Sequence, residues 1–412
     1  MKENLKFVVV GHVDHGKSTL IGRLLYDTQS LPPDKLEEVR QASEKGGEVP
    51  EFAFVTDHLE EERKNRITID TAQIFFKTAK RDYTIIDAPG HKEFLKNMIT
   101  GSTQAEAAVL MIDAKQGLAE QTHRHAFMLG LLGVKQIMVL INKMDLVGYS
   151  QQRFRELKDQ IVARLREFGV KANNDFIIPI SARLGDNIAS KSENLPWHKG
   201  LTLLQAIDKL QPALSAEANV LRLPIQDIYN INGERILVGR IASGVIRAGD
   251  EVVFQPCGVS ATVERIRKFG KEPEEAAAGE SIGLVLKDYG AAGVLKRGQI
   301  ACPADDCPDV SDTIKAVVFW MGEEPLHVGD ALDFKCATMQ TGCRVKEIAD
   351  RIDSSTLEPI ANTCGELGDT EIAKLTIEMD ECVATDPFEK VAETGRFVLM
   401  RDNDTIAGGV LH

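Results

Sequence analysis

The feature that most constrains this 412-residue chain is a glycine-rich segment near its N-terminus. Gly11–Ser18 has the pattern GxxxxGKS, follows the apolar run Phe7–Val10 and precedes Thr19–Tyr26, which has helical spacing. Glycines let backbone amides wrap around phosphate groups without side-chain clashes, and the following helix presents unpaired N–H groups to negative charge. The pattern therefore predicts a phosphate-binding loop in which Lys17 reaches the β- and γ-phosphates and Ser18 holds Mg²⁺.

The first half of the chain alternates strand and helix patterns. Short apolar runs are separated by longer stretches of helical spacing, such as Phe154–Phe168 with its apolar stripe. Strands that are buried on both faces and alternate with helices predict a mostly parallel sheet with flanking helices. The apolar runs are Phe7–Val10, Tyr83–Ile86, Ala107–Ile112, Ile137–Ile141 and Phe176–Ile180.

The pattern becomes β-rich in the second half. Ser215–Asn219 is typical of a linker, and Gly239, Gly244 and Gly249 then recur at five-residue intervals, which favours tight turns in a small antiparallel barrel. The proline- and aspartate-rich segment Pro303–Asp309 marks a second boundary. The predicted organisation is an α/β phosphate-loop domain followed by two β-barrel domains: residues 1–214, 215–306 and 307–412.

Three polar motifs follow predicted strands and indicate which nucleotide binds. In Asp87-Ala88-Pro89-Gly90-His91 the aspartate can hold Mg²⁺ through water, and the Gly90 amide can contact the γ-phosphate. In Asn142-Lys143-Met144-Asp145 the last carboxylate can accept N1–H and the exocyclic amine of guanine, which adenine cannot offer. Ser181-Ala182 supplies a backbone amide for the guanine oxygen. Because α/β sheets bind ligands at the carboxyl ends of their strands, the motifs together predict a GTP-binding domain.

Hydrolysis of GTP needs an oriented water molecule. His91 is the best candidate to position that water, and the alternative is a structural histidine at a helix start. Thr68 could join Mg²⁺ when the γ-phosphate is present, in a region that orders with GTP. The predicted GTP/GDP-binding residues are Gly11, His12, Val13, Asp14, His15, Gly16, Lys17, Ser18, Thr19, Asp87, Gly90, Asn142, Lys143, Asp145, Ser181, Ala182 and Arg183. The predicted Mg²⁺ ligands are Ser18, Thr68 and Asp87.

Composition excludes several classes of protein. Apolar residues form 43% and charged residues 27% of the chain, as in soluble globular proteins. Neither a run of spanning length nor a signal peptide is present, so we expect a cytoplasmic protein without a membrane partner. The cysteines are odd in number and lack CxxC spacing, which favours reduced thiols over a disulfide framework or zinc site. They are Cys257, Cys302, Cys307, Cys336, Cys343, Cys364 and Cys382.

The negative charge of the chain is concentrated toward its C-terminus. The whole chain carries −13, and residues 307–412 alone hold 21 acidic and 9 basic residues. Because nucleic-acid backbones are bound by clusters of Lys and Arg, this distribution disfavours a nucleic-acid partner. A solvated acidic surface that aids solubility is the simplest explanation.

The motifs at 11–18, 87–91 and 142–145, with the three-domain plan, resemble the translation-factor family of GTPases. The resemblance covers essentially the whole chain. It implies that His91 positions the attacking water and that Val13 and Ile67 form an apolar gate around it.

Within that family, two stretches resemble the large, GTP-hydrolysing subunit of bacterial sulfate adenylyltransferase. They are Gly185–Trp197, which archaeal and eukaryotic elongation factors share, and, more specifically, Val318–Leu326 with Gly329-Asp330. The resemblance implies a complex with a smaller catalytic subunit that makes adenylyl sulfate and pyrophosphate from ATP and sulfate. Formation of adenylyl sulfate is thermodynamically unfavourable, and coupling to GTP hydrolysis would drive it. Trp320 and Met321 are expected to fill a barrel core.

Two residues depart from the sulfate-enzyme pattern, and two other functions stay open. His15 is typical of elongation factors, whereas the sulfate subunit usually has an acid there, and Arg66 replaces a glycine before the Ile67-Thr68 pair. The first alternative is an elongation factor that delivers aminoacyl-tRNA, against which the acidity of residues 307–412 argues. The second is a regulatory GTPase with a different partner, which His15 and Arg66 keep open.

Overall fold

The computed structural model describes most of the chain in two compact units. The first unit comprises Met1–Pro212 with Ser354–Thr356, and the second comprises the remainder. The described residues are 4–31, 72–87, 105–131, 136–167, 172–211, 219–287, 294–354, 358–360 and 365–411, with the single positions 33, 36, 37, 52, 134 and 356. No helix in these ranges is long and apolar enough to cross a bilayer.

The first unit is an α/β domain. Its described strands and helices are β1 (Asn4–Gly11), α1 (Lys17–Asp27), β2 (Ala72–Lys77), β3 (Asp82–Asp87), β4 (Ala107–Asp113), α2 (Glu120–Leu131), β5 (Gln136–Asn142), α3 (Gln151–Glu167), β6 (Ile177–Pro179) and α4 (Leu203–Ile207). Short 3-10 turns cover Met144–Val147 and Asn174–Phe176.

The strands form one sheet in the order β2-β3-β1-β4-β5-β6. All neighbours pair in parallel except β2 and β3, which are antiparallel. Every residue of β4 is buried, as expected of a strand covered on both faces. The apolar stripe of α3 is buried as well, at Phe154, Leu157, Ile161 and Leu165. Because the strands are parallel, β1, β3, β4, β5 and β6 bring their carboxyl ends to one edge of the sheet.

The second unit consists of two barrels. The middle barrel and its small flanking ribbon contain β7 (Leu223–Ile231), β8 (Glu234–Arg240), β9 (Val245–Arg247), β10 (Glu251–Gln255), β11 (Val259–Arg267), β12 (Glu275–Ala277), β13 (Ser281–Lys287) and β14 (Ile300–Cys302). The C-terminal barrel and its ribbon contain β15 (Asp309–Trp320), β16 (Leu326–His327), β17 (Ala331–Cys336), β18 (Met339–Asp353), β19 (Glu366–Leu367), β20 (Glu371–Thr385), α5 (Ala392–Gly395), β21 (Arg396–Arg401) and β22 (Asp404–Leu411).

Both barrels are closed, antiparallel and six-stranded. The strand order is β10-β11-β13-β8-β7-β14 in the middle barrel and β15-β20-β18-β17-β21-β22 in the C-terminal barrel. Each barrel has its own apolar core. Trp320 lies within the C-terminal core, which confirms its predicted packing role, and Met321 is buried. The predicted fold, an α/β GTPase-type domain followed by two antiparallel barrels, is confirmed.

One predicted turn is wrong. Gly244 and Gly249 adopt positive φ between strands, but Gly239 lies inside β8. A Cβ atom at Gly239 would lie 2.3 Å from the carbonyl oxygen of Pro224 on the neighbouring strand. Glycine is therefore required there by the close approach of two strands rather than by a turn.

Candidate functional site

The glycine-rich loop lies between β1 and α1 at the carboxyl edge of the sheet. Gly16 has φ +92°, and a Cβ there would lie 2.6 Å from Nδ2 of Asn142. A Cβ at Gly11 would lie 2.8 Å from the carbonyl oxygen of Met111 in β4. Both glycines are thus required by close contacts with neighbouring strands, and their small size shapes the loop into a cradle.

The cradle presents donors suited to phosphate. The backbone N–H groups of Gly16, Ser18 and Thr19 donate to no residue that the structure describes, and no side chain caps the start of α1. The ammonium of Lys17 lies over the loop, where it donates to the carbonyl oxygens of Gly11 (2.8 Å) and His12 (3.2 Å). Orphan N–H groups at a helix N-terminus, with a lysine beside them, fit the phosphates of a nucleotide.

The Ser18 hydroxyl fits an Mg²⁺ ligand. It is half-buried at the first turn of α1 and makes no hydrogen bond within the described residues. A hydroxyl oxygen is a hard ligand of the kind that Mg²⁺ prefers. Bound Mg²⁺ would neutralise charge on the phosphates.

The side chain of His15 is buried against β4 and does not face solvent. Its side chain is fully buried, and its Nδ1 lies 3.0 Å from the carbonyl oxygen of Met111. Burial lowers the pKa of His15, so the ring is neutral at pH 7. His15 therefore contributes to the predicted site through its backbone and not through its side chain. His12, which packs edge-on against His15, bonds through Nδ1 to Oε1 of Gln121 in α2 (2.5 Å).

Asn142 joins the phosphate loop to the loop after β6. It is buried at the end of β5, where Nδ2 donates to the carbonyl oxygen of His15 (2.8 Å) and Oδ1 accepts the N–H of Ala182 (2.9 Å). The Ala182 amide, predicted for the guanine oxygen, would have to share its hydrogen between Asn142 and the base. Ser181 is buried beside it and Arg183 is exposed.

Lys143 is held by an acid that sequence reasoning did not single out. Its Nζ lies 2.8 Å from Oδ2 of Asp113, the last residue of β4. Asp113 also accepts the backbone N–H groups of Lys115 (2.7 Å) and Gln116 (3.1 Å). Burial alone would raise the pKa of Asp113, but the hydrogen bonds from Lys143 and these amides outweigh it and hold the pKa below its usual value. The signal was available, because Asp113 follows directly on the apolar run Ala107–Ile112.

The carboxylate of Asp145 is available to accept hydrogen bonds from a guanine base. Its side chain is half-buried in the 3-10 turn, and its carboxylate makes no hydrogen bond with any described residue. The end of this turn is fixed by Tyr149, whose hydroxyl donates to Oδ2 of Asp186 (2.8 Å). Asp186 also accepts the hydroxyl of Ser192 (2.5 Å). Sequence reasoning missed this network, which ties the turn carrying Asp145 to the Ser181 loop.

Some predicted site residues cannot be placed. Ile67, Thr68, Gly90 and His91 lie outside the described residues, as does the side chain of Asp87 at the end of β3. Val13 is half-buried in the phosphate loop. The structure therefore brings together the parts of the site contributed by the loops after β1, β4, β5 and β6.

Comparison with known proteins matches all three domains. Residues 2–213 match the elongation factor Tu GTP binding domain, residues 234–302 match elongation factor Tu domain 2, and residues 313–412 match the GTP-eEF1A C-terminal domain-like family. The chain belongs to the translation-factor family of GTPases. GTP or GDP binding, typically with Mg²⁺, follows from this membership and fits the cradle described above.

Proteins of at least two functions are similar to this translation-factor GTPase. Elongation factor 1-alpha of Archaeoglobus fulgidus is 39% identical over 100% of this chain and 97% of its own length. Elongation factor 1-alpha of Methanocaldococcus jannaschii is 38% identical over 99% and 97%. Sulfate adenylyltransferase subunit 1 of Aeromonas salmonicida is also 38% identical, over 100% and 87%. A crystal structure of sup35 complexed with GDP matches this GTPase with 22% identity, a TM-score of 0.45 and coverage of 100% and 94%.

Proposed function

We propose that this chain is the GTP-hydrolysing subunit of a sulfate adenylyltransferase. A separate, smaller catalytic subunit would form adenylyl sulfate and pyrophosphate from ATP and sulfate, and GTP hydrolysis in this chain would drive that reaction. Sequence identity does not separate this role from elongation, since relatives of the two kinds match at similar identity, 39% and 38%. The observation that carries the proposal is the charge of the C-terminal barrel.

Several basic side chains of that barrel are paired with its own acids. Lys346 Nζ lies 2.6 Å from Oε2 of Glu378, and Lys374 Nζ lies 2.8 Å from Oδ2 of Asp350. Arg401 contacts both Glu324 (3.2 Å) and Asp330 (3.1 Å). An RNA phosphate backbone would have to displace these acids and approach a barrel with 21 acidic and 9 basic residues. A surface of this kind suits a protein partner better than tRNA.

Within the nucleotide site, we assign roles as follows. The cradle with Lys17 binds the phosphates, Asp145 reads the guanine base, and Ser18, Thr68 and Asp87 hold Mg²⁺. His91 orients the attacking water, with Val13 and Ile67 forming an apolar gate beside it. The chemistry is positioning and charge stabilisation rather than covalent catalysis. We also propose a cytoplasmic location for the protein.

Delivery of aminoacyl-tRNA is the second candidate, and one feature of the middle barrel favours it. A groove of about 600 Å³ is lined there by Arg235, Lys296 and Arg297 with Asp227. Three basic side chains and one acidic side chain give this groove a net positive charge, whereas the rest of the unit is acidic. Lys296 is paired with Glu381 of the C-terminal barrel (2.8 Å), which reduces the charge available to a phosphate. We therefore rank this candidate second.

The test captures the tagged full-length chain from a native extract, with either a non-hydrolysable GTP analogue or GDP. The eluate is given ATP and radiolabelled sulfate, and pyrophosphate release is followed with and without GTP. We expect sulfate-dependent pyrophosphate release that rises several-fold with GTP. Two results would overturn the proposal: no such activity, or a GTP-bound chain that protects the ester of aminoacyl-tRNA from hydrolysis.

A matched variant assigns any stimulation to this chain rather than to other GTPases in the eluate. Xanthine carries a carbonyl where guanine carries its exocyclic amine, so Asp145→Asn should prefer the xanthine base. With this variant, stimulation of pyrophosphate release should pass from GTP to xanthosine triphosphate. Stimulation that still follows GTP would mean that another protein is responsible.

A further inference from the structure

Two cysteines meet in the segment that joins the two barrels. Cys302 is the last residue of β14, Cys307 follows it in the connection, and β15 begins at Asp309. Their Sγ atoms lie 3.5 Å apart. A disulfide requires about 2.05 Å, so the sulfur atoms need to approach by only ~1.5 Å.

The two thiols differ in their access to solvent. Cys302 is fully buried, and its Sγ donates to the carbonyl oxygen of Val253 (3.2 Å). Burial raises the pKa of the Cys302 thiol, which keeps it protonated and unreactive toward reagents in solution. Cys307 is half-buried, and its Sγ lies 3.4 Å from the carbonyl oxygen of Pro303. Cys307 is thus the sulfur that a dissolved oxidant meets first, and Cys302 stands directly behind it.

The connection around this pair also carries polar contacts between the barrels. Asp306, adjacent to Cys307, accepts hydrogen bonds from Arg222 of the middle barrel and from Lys390 of the C-terminal barrel (2.5 Å). Arg222 is itself paired with Asp386 of the C-terminal barrel. Closing a ring over Pro303–Asp306 would restrict the residue that receives these contacts.

We infer that Cys302 and Cys307 are a redox-active dithiol that closes to an intramolecular disulfide on reaction with a low-molecular-weight disulfide such as oxidised glutathione. The Cys307 thiolate, having lost its proton to solvent, attacks one sulfur of the reagent, whose S–S bond breaks and releases one glutathione. Cys302 then attacks Sγ of Cys307 and displaces the second glutathione, which takes up the proton that Cys302 loses. Two protein thiols are oxidised and one glutathione disulfide is reduced to two thiols.

Three other described cysteines provide internal controls. Cys336 and Cys343 are buried, whereas Cys382 is exposed, and within the described residues none of these three lies in contact with another cysteine sulfur. Cys382 should therefore acquire glutathione as a stable mixed disulfide. The buried thiols should remain reduced.

The test is peptide mass mapping of the native full-length chain after incubation with oxidised glutathione, alkylation and trypsin digestion. The peptide Gly298–Lys315 contains both Cys302 and Cys307 and lacks internal Lys and Arg. We expect this peptide to lose two hydrogens, to resist alkylation and to carry no glutathione. The peptide Leu375–Lys390, with Cys382, should carry glutathione and shows that the reagent has reacted. The readout needs neither nucleotide nor partner, so it can fail independently of the proposed GTPase role.

Two variants separate the roles of the sulfurs. In Cys302→Ser, Cys307 should retain glutathione, because the second thiol is missing. In Cys307→Ser, Cys302 should stay reduced until the chain is unfolded. The inference is overturned if both cysteines of the wild-type peptide remain alkylatable while Cys382 is modified. It is also overturned if Cys307 keeps glutathione in the wild-type chain. These wild-type masses decide the matter even where a variant fails to fold.

Discussion

Asn142 shows how a single side chain can organise two ligand-binding loops. Its amide donates to the phosphate loop and accepts from the loop that follows β6, and both partners are backbone groups in the buried interior. Backbone groups impose no requirement on neighbouring side chains, so this bridge depends on residue 142 alone. The asparagine of the guanine motif thus fixes the positions of both loops.

Replacement of Asn142 by alanine should weaken guanine nucleotide binding. The change leaves the His15 carbonyl and the Ala182 amide buried without a partner, at a cost of roughly 1–3 kcal/mol per group. If about 1.4–2.8 kcal/mol of this appears in binding, the affinity for GDP falls roughly tenfold to a hundredfold. Titration with a fluorescent GDP analogue measures the loss. Asn174→Ala, at an exposed position of the same domain, should leave the affinity unchanged; equal losses in both variants would refute the bridging role.

The Asp113–Lys143 pair predicts a dependence of stability on pH. Because the pKa of Asp113 in the folded chain lies below its usual 3.8, ionised Asp113 stabilises the fold above that pH. This contribution is lost as pH falls below 3.8 and through the folded-state pKa. Asp113→Asn should therefore be less stable than wild type at pH 7, and the difference should shrink below about pH 4. Urea unfolding of both proteins from pH 7 to pH 3 tests this, and a difference that does not change with pH would contradict it.

At the scale of elements, the strands of the first domain were predictable because burial on both faces leaves a continuous apolar run. The last of these strands, β6, is shorter than the apolar run Phe176–Ile180, and Phe176 belongs instead to the 3-10 turn Asn174–Phe176. The barrel strands were also recognisable, but glycines within them were not separable from glycines in turns. Gly239 illustrates the reason: its requirement comes from Pro224 on another strand, and spacing along the chain carries no information about that contact.

Gly239→Ala should destabilise the middle barrel by about 3 kcal/mol, through overpacking. The new methyl group would lie 2.3 Å from a backbone oxygen, which cannot move without displacing β7. Gly233→Ala is the matched control, since a Cβ there meets nothing within 4 Å and only its positive φ opposes the change. The control should lose ~1 kcal/mol. Chemical denaturation compares the two, and equal losses would show that β7 and β8 can separate at no cost.

At the scale of the whole molecule, the contact between Arg222 and Asp386 could not be predicted from the sequence. Both side chains are buried, and the guanidinium donates to both carboxylate oxygens at 2.8 Å. The residues are 164 positions apart, so no local pattern links them. The position of Asp113 after an apolar run was visible in the sequence, but its pairing with Lys143, the residue that follows β5, was not. Long-range polar partners follow from the folded arrangement, whereas apolar periodicity is written locally in the chain.

Removal of Asp386 should destabilise the second unit strongly. Asp386→Ala leaves Arg222 charged and buried without its main partner, which costs about 3–5 kcal/mol. The double variant Arg222→Met/Asp386→Leu should recover much of that loss, because no buried charge remains. Unfolding of the single and double variants in urea measures both effects.

An exposed ion pair of the same unit provides the comparison for this prediction. Arg247 and Glu275 lie 3.1 Å apart, each with 61% of its side chain exposed. Glu275→Ala should cost less than ~1 kcal/mol. If Asp386→Ala loses no more stability than Glu275→Ala, the buried Arg222–Asp386 pair contributes little to the stability of the second unit.

The closed barrels have a consequence for how this protein would self-associate. A closed barrel leaves no strand edge unpaired, so neither barrel offers a template to another chain. The sheet of the first unit does have ends. At one end, β6 is only three residues long and ends in Pro179, which has no N–H to donate to an added strand. At the other, β2 borders the described sheet with the Phe75 ring 65% exposed. Among the described strands of this sheet, β2 is therefore the one on which addition of another chain should begin.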